Sequence, residues 1–144
     1  MTQSTPGADG RRIAELLASE LVAREDGPLA RCSLRDVRDA DTLEPGEFGA
    51  FAYAVHAGEE DGDGDDEAEG GGDHLADVYV HDDRGRVEFR RAQSVAAEAG
   101  GEADLRVRPK AVEPPRTLVF VEDTGQVKRV LPVFEAALAA LDAA

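Results

Sequence analysis

Two short runs with alternating polar and apolar residues, Leu75 to His81 and Arg86 to Arg90, flank the four residues Asp82-Asp83-Arg84-Gly85. Period-two alternation sends successive side chains to opposite faces of a strand, and a turn glycine supplies the positive φ that a tight reversal needs. The spacing therefore predicts a β-hairpin. It also splits the hairpin into faces, because Arg86, Glu88 and Arg90 fall on one side and Val87 and Phe89 on the other. A chain built around this pair needs a sheet with one buried face and one polar face.

Further strands join it. Ala30, Cys32 and Leu34 alternate with Arg31, Ser33 and Arg35 as a strand with one wet face, and a turn at Pro45-Gly46 follows. Phe51, Tyr53 and Val55 alternate with Ala50, Ala52 and Ala54, apolar on both faces as in an inner strand. Asp104 to Arg108 reads as a strand ended by Pro109, and the short, continuously apolar run Thr117 to Val121 as a central buried one.

Helical spacing sets the remaining elements. Ile13, Leu16, Leu17 and Leu21 recur between Arg11 and Arg24, with Gly27-Pro28 as a stop. Ala92 to Ala99 forms a short helix closed by Gly100-Gly101. Val127, Val130, Leu131, Phe134, Leu138 and Leu141 line a last helix, which Thr124 caps and Pro132 kinks or divides.

The order helix, four strands, helix, two strands, helix predicts an α+β fold: a mixed β-sheet of about six strands with three helices, mainly on one face. The strand, helix and strand between Arg86 and Arg108 are expected to form a right-handed crossover. This element order resembles the secretion-chaperone-like arrangement of a sheet between helices. At 144 residues the chain fits one domain, 11–144, preceded by a disordered tail over 1–10. Residues 58–73 are almost wholly Gly, Asp and Glu, which bury too little apolar surface to offset the entropy of ordering, so a disordered insertion is expected there.

Charge constrains the environment more than the fold. Acidic residues outnumber basic ones 31 to 16, for a formal net charge of -15, and Lys110 and Lys128 are the only lysines beside fourteen arginines. Such self-repulsion weakens a compact state in dilute buffer, whereas at about 1 M salt the Debye length falls to roughly 3 Å. In this respect the chain resembles cytoplasmic proteins of halophilic archaea, which implies a cytoplasm of concentrated salt. Met1 to Gly10 is polar and lacks the apolar run of a signal peptide, which also favours a cytoplasmic location without membrane contact. Cys32 is the single cysteine, so it makes no intrachain disulfide, and its alternating neighbours predict a small core residue.

Several patterns invite chemistry. Asp61, Asp63 and Asp65 alternate like calcium ligands, but the glycine and the closing bidentate acid of an EF-hand loop fall on Asp66 and Gly72. His74, Asp77 and His81 are ligand-type residues whose spacing places His74 and Asp77 on opposite faces of a regular strand. No nucleophile elbow or phosphate-binding glycine loop occurs, so no cofactor is expected. Asp77, followed after the hairpin turn by Glu88-Phe89-Arg90, resembles the PD-(D/E)xK nuclease family. The resemblance covers one hairpin and the helix after it. It implies Asp77 and Glu88 as magnesium ligands, while Arg90 stands where the family has lysine and cannot act as a base.

A strip of cations is the broader feature. Arg84, Arg86, Arg90, Arg91, Arg106, Arg108, Lys110 and Arg116 face five acids in the same span, whereas Asp41 to Asp83 holds fifteen carboxylates and no lysine or arginine. Arg86 and Arg90 share one strand face, and Arg106, Arg108 and Lys110 another; with Arg31, Arg35 and Tyr79 they are expected to form an open polar sheet face. Guanidinium forks suit phosphate and carboxylate. The expected function is a non-enzymatic interaction or regulatory module whose binding residues Arg86, Arg90, Arg106, Arg108 and Lys110 meet an anionic protein or nucleic acid. Two alternatives stand beside it: a divergent metal-dependent nuclease using Asp77, Glu88 and Arg90, and a structural homodimer formed through the exposed sheet face or an edge strand.

Overall fold

The computed structural model describes residues 9–23, 28–39, 42–45, 49–57, 73–113 and 115–143. The calcium-like aspartates, residues 58–72 of the expected insertion and residues 1–8 of the expected tail lie outside them, as do Gly27 and Gly46. Among the described residues the chain forms three α-helices and a six-stranded sheet. The helices are α1 (Gly10–Val22), α2 (Gln93–Glu102) and α3 (Gly125–Ala143). The strands are β1 (Cys32–Arg35), β2 (Ala50–Ala57), β3 (Asp73–Val80), β4 (Gly85–Phe89), β5 (Arg106–Lys110) and β6 (Arg116–Val121). This is the expected α+β architecture.

The sheet order is β1-β2-β3-β4-β6-β5, and every ladder is antiparallel. The expectation of a mixed sheet is corrected in this respect. β4 and β5 do run the same way, joined through α2, but β6 inserts between them and pairs antiparallel with both. The apolar β6 takes the central position, and the arginine-bearing β5 is left at the edge. Pro109 therefore sits inside β5 rather than ending it, because an edge strand needs hydrogen bonds on one side alone.

One sheet face carries all three helices. Ile13, Leu17 and Leu21 of α1, and Val127, Val130, Phe134 and Leu138 of α3, pack with Val78, Val87, Phe89, Val119 and Val121, each no more than 2% exposed. Phe89 and Phe134 meet with ring centroids 5.0 Å apart. Tyr53 ties α1 to the sheet by donating its hydroxyl to the Ala14 carbonyl at 2.9 Å. Because the helices share this side, the sheet is not sandwiched as in the secretion-chaperone-like arrangement.

Several helix ends differ from expectation. Asp9 and Gly10, placed in the tail by sequence, begin α1: the Asp9 side chain accepts from the Arg11 amide, and Gly10 lies so close to the β3–β4 turn that a Cβ would stand 1.8 Å from the His81 carbonyl oxygen. Gly100 and Gly101 lie within α2. Gly100 lets the helix approach the sheet, since a Cβ there would come within 2.8 Å of Val107. The helix stops instead at Asp104, left-handed at φ 65, with amide bonds Asp104 to Gly101 and Leu105 to Gly100. Those are the two bonds of a Schellman ending. At α3 the capping side chain is Asp123, which accepts from the Gln126 amide at 3.0 Å, rather than Thr124. Pro132 does not divide α3, which runs on through it at an exposed position.

Candidate functional site

The face opposite the helices is polar, and its residues line up in rows across the strands. Phe51, Tyr79, Arg86, Phe120 and Arg106 are successive register partners, and so are Ala54, Asp77, Glu88, Leu118 and Arg108. In the first row guanidinium groups cover the rings: Arg86 lies 4.4 Å from the Tyr79 centroid, and Arg84 lies 5.6 Å from that of Phe120.

Two irregularities in the β2–β3 ladder decide which side chains reach this face. Phe51 pairs with Tyr79 and Tyr53 with Val78, so β2 carries an extra residue there; Val55 pairs with Ala76 and His56 with His74, so β3 carries one at Leu75. Each bulge reverses the alternation beyond it. Phe51 is thereby parted from Tyr53 and meets Tyr79 edge to face at 5.7 Å. His74, expected on the face opposite Asp77, instead joins it, with Nε2 2.6 Å from the Asp77 carboxylate, and stacks on His56 at 4.7 Å.

The second row holds the two carboxylates of the nuclease-like motif. Asp77 is 4% exposed and Glu88 fully buried, although no helix covers them. Basic side chains do. Arg86 Nε donates to Glu88 at 2.9 Å, Arg116 Nη1 at 2.8 Å, and Lys110 Nζ lies 3.3 Å away. Arg90 Nη1 donates to Asp77 at 3.2 Å, and the Arg116 nitrogen that binds Glu88 is also 3.8 Å from Asp77. The carboxylates are thus register partners with a guanidinium nitrogen in reach of both.

The electrostatics follow the packing. Burial alone would raise the Asp77 pKa, but the hydrogen bonds and charges of His74 and Arg90 outweigh it and hold the carboxyl below its ordinary value. Burial favours deprotonation of Arg116, yet Glu88 and Asp77 keep its proton more firmly than usual. The Tyr79 phenol is raised by burial and by the two carboxylates. His81 is lowered by burial and by Arg84 and Arg86, which suits a neutral ring accepting from Arg86 Nη1 at 2.8 Å.

Past the end of β4 the face opens into a cavity of about 210 Å³ lined by His74, Arg90, Arg91, Pro115 and Arg116. Of the residues expected to bind, Arg86, Arg90 and Lys110 join the carboxylate cluster. Arg106 stands apart, 3.7 Å from Glu122, and Arg108 is exposed on the edge strand. Arg35 lies on β1 opposite Ala54. Asp77 and Glu88 come together, while His81 sits at the far end of β3 beside Arg86, and among the described residues no group of three or more metal-type ligands converges.

Two members of the site are candidates by sequence, but the sequence does not place them beside Asp77 and Glu88. Arg116 belongs to the basic strip, and its signal was its phase with Leu118 and Phe120 at the start of β6. His74 is a ligand-type residue that its spacing assigns to the face opposite Asp77, because a bulge leaves no mark in the alternation. No helix of the described residues is long and apolar enough to cross a membrane. No curated protein and no solved structure matches the chain. A family model does match, across residues 1–144, and by that match the chain belongs to DUF7993, a family of unknown function.

Proposed function

We propose that this chain is a non-enzymatic interaction or regulatory module of a salt-adapted cytoplasm, and that its arginine-rich sheet face binds an anionic partner. One observation carries the reading: on the face free of helices, and among the described residues, Arg86, Arg90, Lys110 and Arg116 converge on the two carboxylates Asp77 and Glu88, a cationic cluster in a chain of net charge -15. The buried acids act as anchors, holding long side chains whose ordering on binding would otherwise oppose affinity. Arg106 and Arg108 extend the cationic surface to the edge strand. The overall acidity and the scarcity of lysine support a cytoplasm of molar salt, in which net charge repels an anionic partner little.

The test is binding of a labelled acidic peptide and of a labelled single-stranded oligonucleotide in molar KCl. Saturable binding of either, weakened by the paired exposed changes Arg106→Glu and Arg108→Glu, is the expected result. Failure of both ligands to bind removes the proposal. The register pairing of Asp77 with Glu88 favours one second reading, a metal-dependent nuclease in which magnesium displaces the Arg116 guanidinium. Cleavage of the oligonucleotide with magnesium, lost in Asp77→Asn, would shift the assignment there. Light scattering under the same conditions tests the homodimer.

A further inference from the structure

We infer that the cavity between His74, Arg90, Arg91, Pro115 and Arg116 is a receptor for the phosphate of a phosphomonoester. This rests on the anion-binding reading of the face and narrows it to one chemical group at one place.

The lining itself selects the ligand. Three guanidinium groups and an imidazole bound the cavity, Pro115 supplies its apolar wall, and among the described residues no carboxylate lines it. Asp77 and Glu88 lie behind that lining, 4% and 0% exposed. From there they fix its polar groups: Asp77 holds His74 at 2.6 Å and Arg90 at 3.2 Å, and Glu88 holds Arg116 at 2.8 Å. Arg90 and Arg116 each reach their carboxylate through Nη1, and a guanidinium carries five N–H donors in a planar fork, so each anchored arginine has further donors to offer an oxyanion. Gln93 steadies the rim by donating to the Arg90 carbonyl at 3.1 Å and the Pro115 carbonyl at 2.9 Å, which ties the two lining segments together.

Size and charge then choose among anions. At about 210 Å³ the cavity falls below the roughly 300–1,000 Å³ of pockets that enclose whole small molecules, so it fits a headgroup whose remainder lies outside. A carboxylate brings one charge and two oxygens. A phosphomonoester brings up to two charges and three terminal oxygens, which suits the forks of Arg90 and Arg116 with Arg91 and His74 beside them. Bidentate arginine–phosphate bonds act at contact distance, which lets them persist where molar chloride screens longer-range attraction.

The experiment is a titration in molar KCl, followed by calorimetry and by the arginine side-chain resonances. The probes are methyl phosphate, acetate, adenosine monophosphate, adenosine and O-phosphoserine. Methyl phosphate should bind saturably and acetate at least about tenfold more weakly, the difference expected of one charge-assisted hydrogen bond. Arg91→Ala, at an exposed position, and Arg90→Lys, which keeps the charge and loses the fork, should each weaken methyl phosphate by about tenfold. Tighter binding of adenosine monophosphate or of O-phosphoserine than of methyl phosphate identifies the molecule bearing the group, and adenosine alone should not bind. Equal binding of methyl phosphate and acetate, no saturation, or full affinity in both variants overturns the inference. If the acidic peptide or the oligonucleotide still binds the face when methyl phosphate does not, the pocket falls and the broader reading stands; if none binds, both fall.

Discussion

Glu88 has no solvent exposure on a sheet face that no helix covers, and its two oxygens serve Arg86, Lys110 and Arg116. Its burial is made by those side chains, whose stems cover it while their charged heads compensate it. Glu88→Gln keeps the shape and removes the charge, leaving three cations crowded around a neutral amide. The expected loss is about 3 kcal/mol, the scale for breaking a buried ion pair from one side, read as a lower urea midpoint in molar KCl. A second residue-level expectation concerns pH. The His56 imidazole is lowered from 6.5 to about 4, by burial first and then by His74 and Arg35, with Asp77 and Asp36 opposing, and among the described residues its Nδ1 has no hydrogen-bond partner. Between those two values the unfolded chain binds a proton that the folded chain refuses, so stability should fall as pH drops through that window and stay level above it. For a half-buried ring the effect is of the order of 1 kcal/mol. His56→Phe keeps a ring against His74 and should flatten part of the slope in urea midpoints against pH. His81, also lowered, accounts for slope that persists.

At the scale of elements, α2 shows how an ending can be built without the expected residue. Its C-terminal reversal needs a left-handed residue, and Asp104 occupies that position at φ 65 while the two glycines serve elsewhere. Gly100 lies against Val107 and Val119, where space is short, and Leu105 after the turn is buried at 6% exposure. Asp104→Gly should therefore stabilise the protein by about 1 kcal/mol, because it relieves left-handed strain and removes a negative charge beside the negative end of the helix dipole. A thermal midpoint that fails to rise would show that the Asp104 side chain has a compensating role. The β2–β3 ladder carries the other element-level lesson. Its two bulges bring Phe51 and His74 to the open face, so the floor beside the pocket depends on register and not on residue type.

For the whole molecule the governing quantity is a net charge of -15 set against a local cluster of opposite sign. Repulsion among surface acids is long-ranged and strongly screened, whereas the ion pairs around buried Glu88 are short-ranged and screened far less. Raising KCl from dilute to molar concentration should therefore raise the urea midpoint, with the Glu88→Gln loss nearly constant across the series. A midpoint that is flat or falls with salt would remove the proposal of a salt-adapted cytoplasm.

Alternation and helical spacing were enough to establish the element order, the hairpin at Asp82 to Gly85, the apolar stripes of α1 and α3, and the polar face carrying Arg86 and Glu88, because each depends on neighbours within a few residues along the chain. Burial could be read the same way for Val87, Phe89 and Phe134. What required the tertiary structure was everything set by partners distant in sequence: β6 threading between β4 and β5 so that every ladder is antiparallel, Gly100 used for close packing instead of a helix stop, and the phase reversal at Leu75. The pocket belongs to that second class. His74, Arg90 and Arg116 come from three strand ends, and two buried carboxylates, brought together by sheet register, hold them around one cavity.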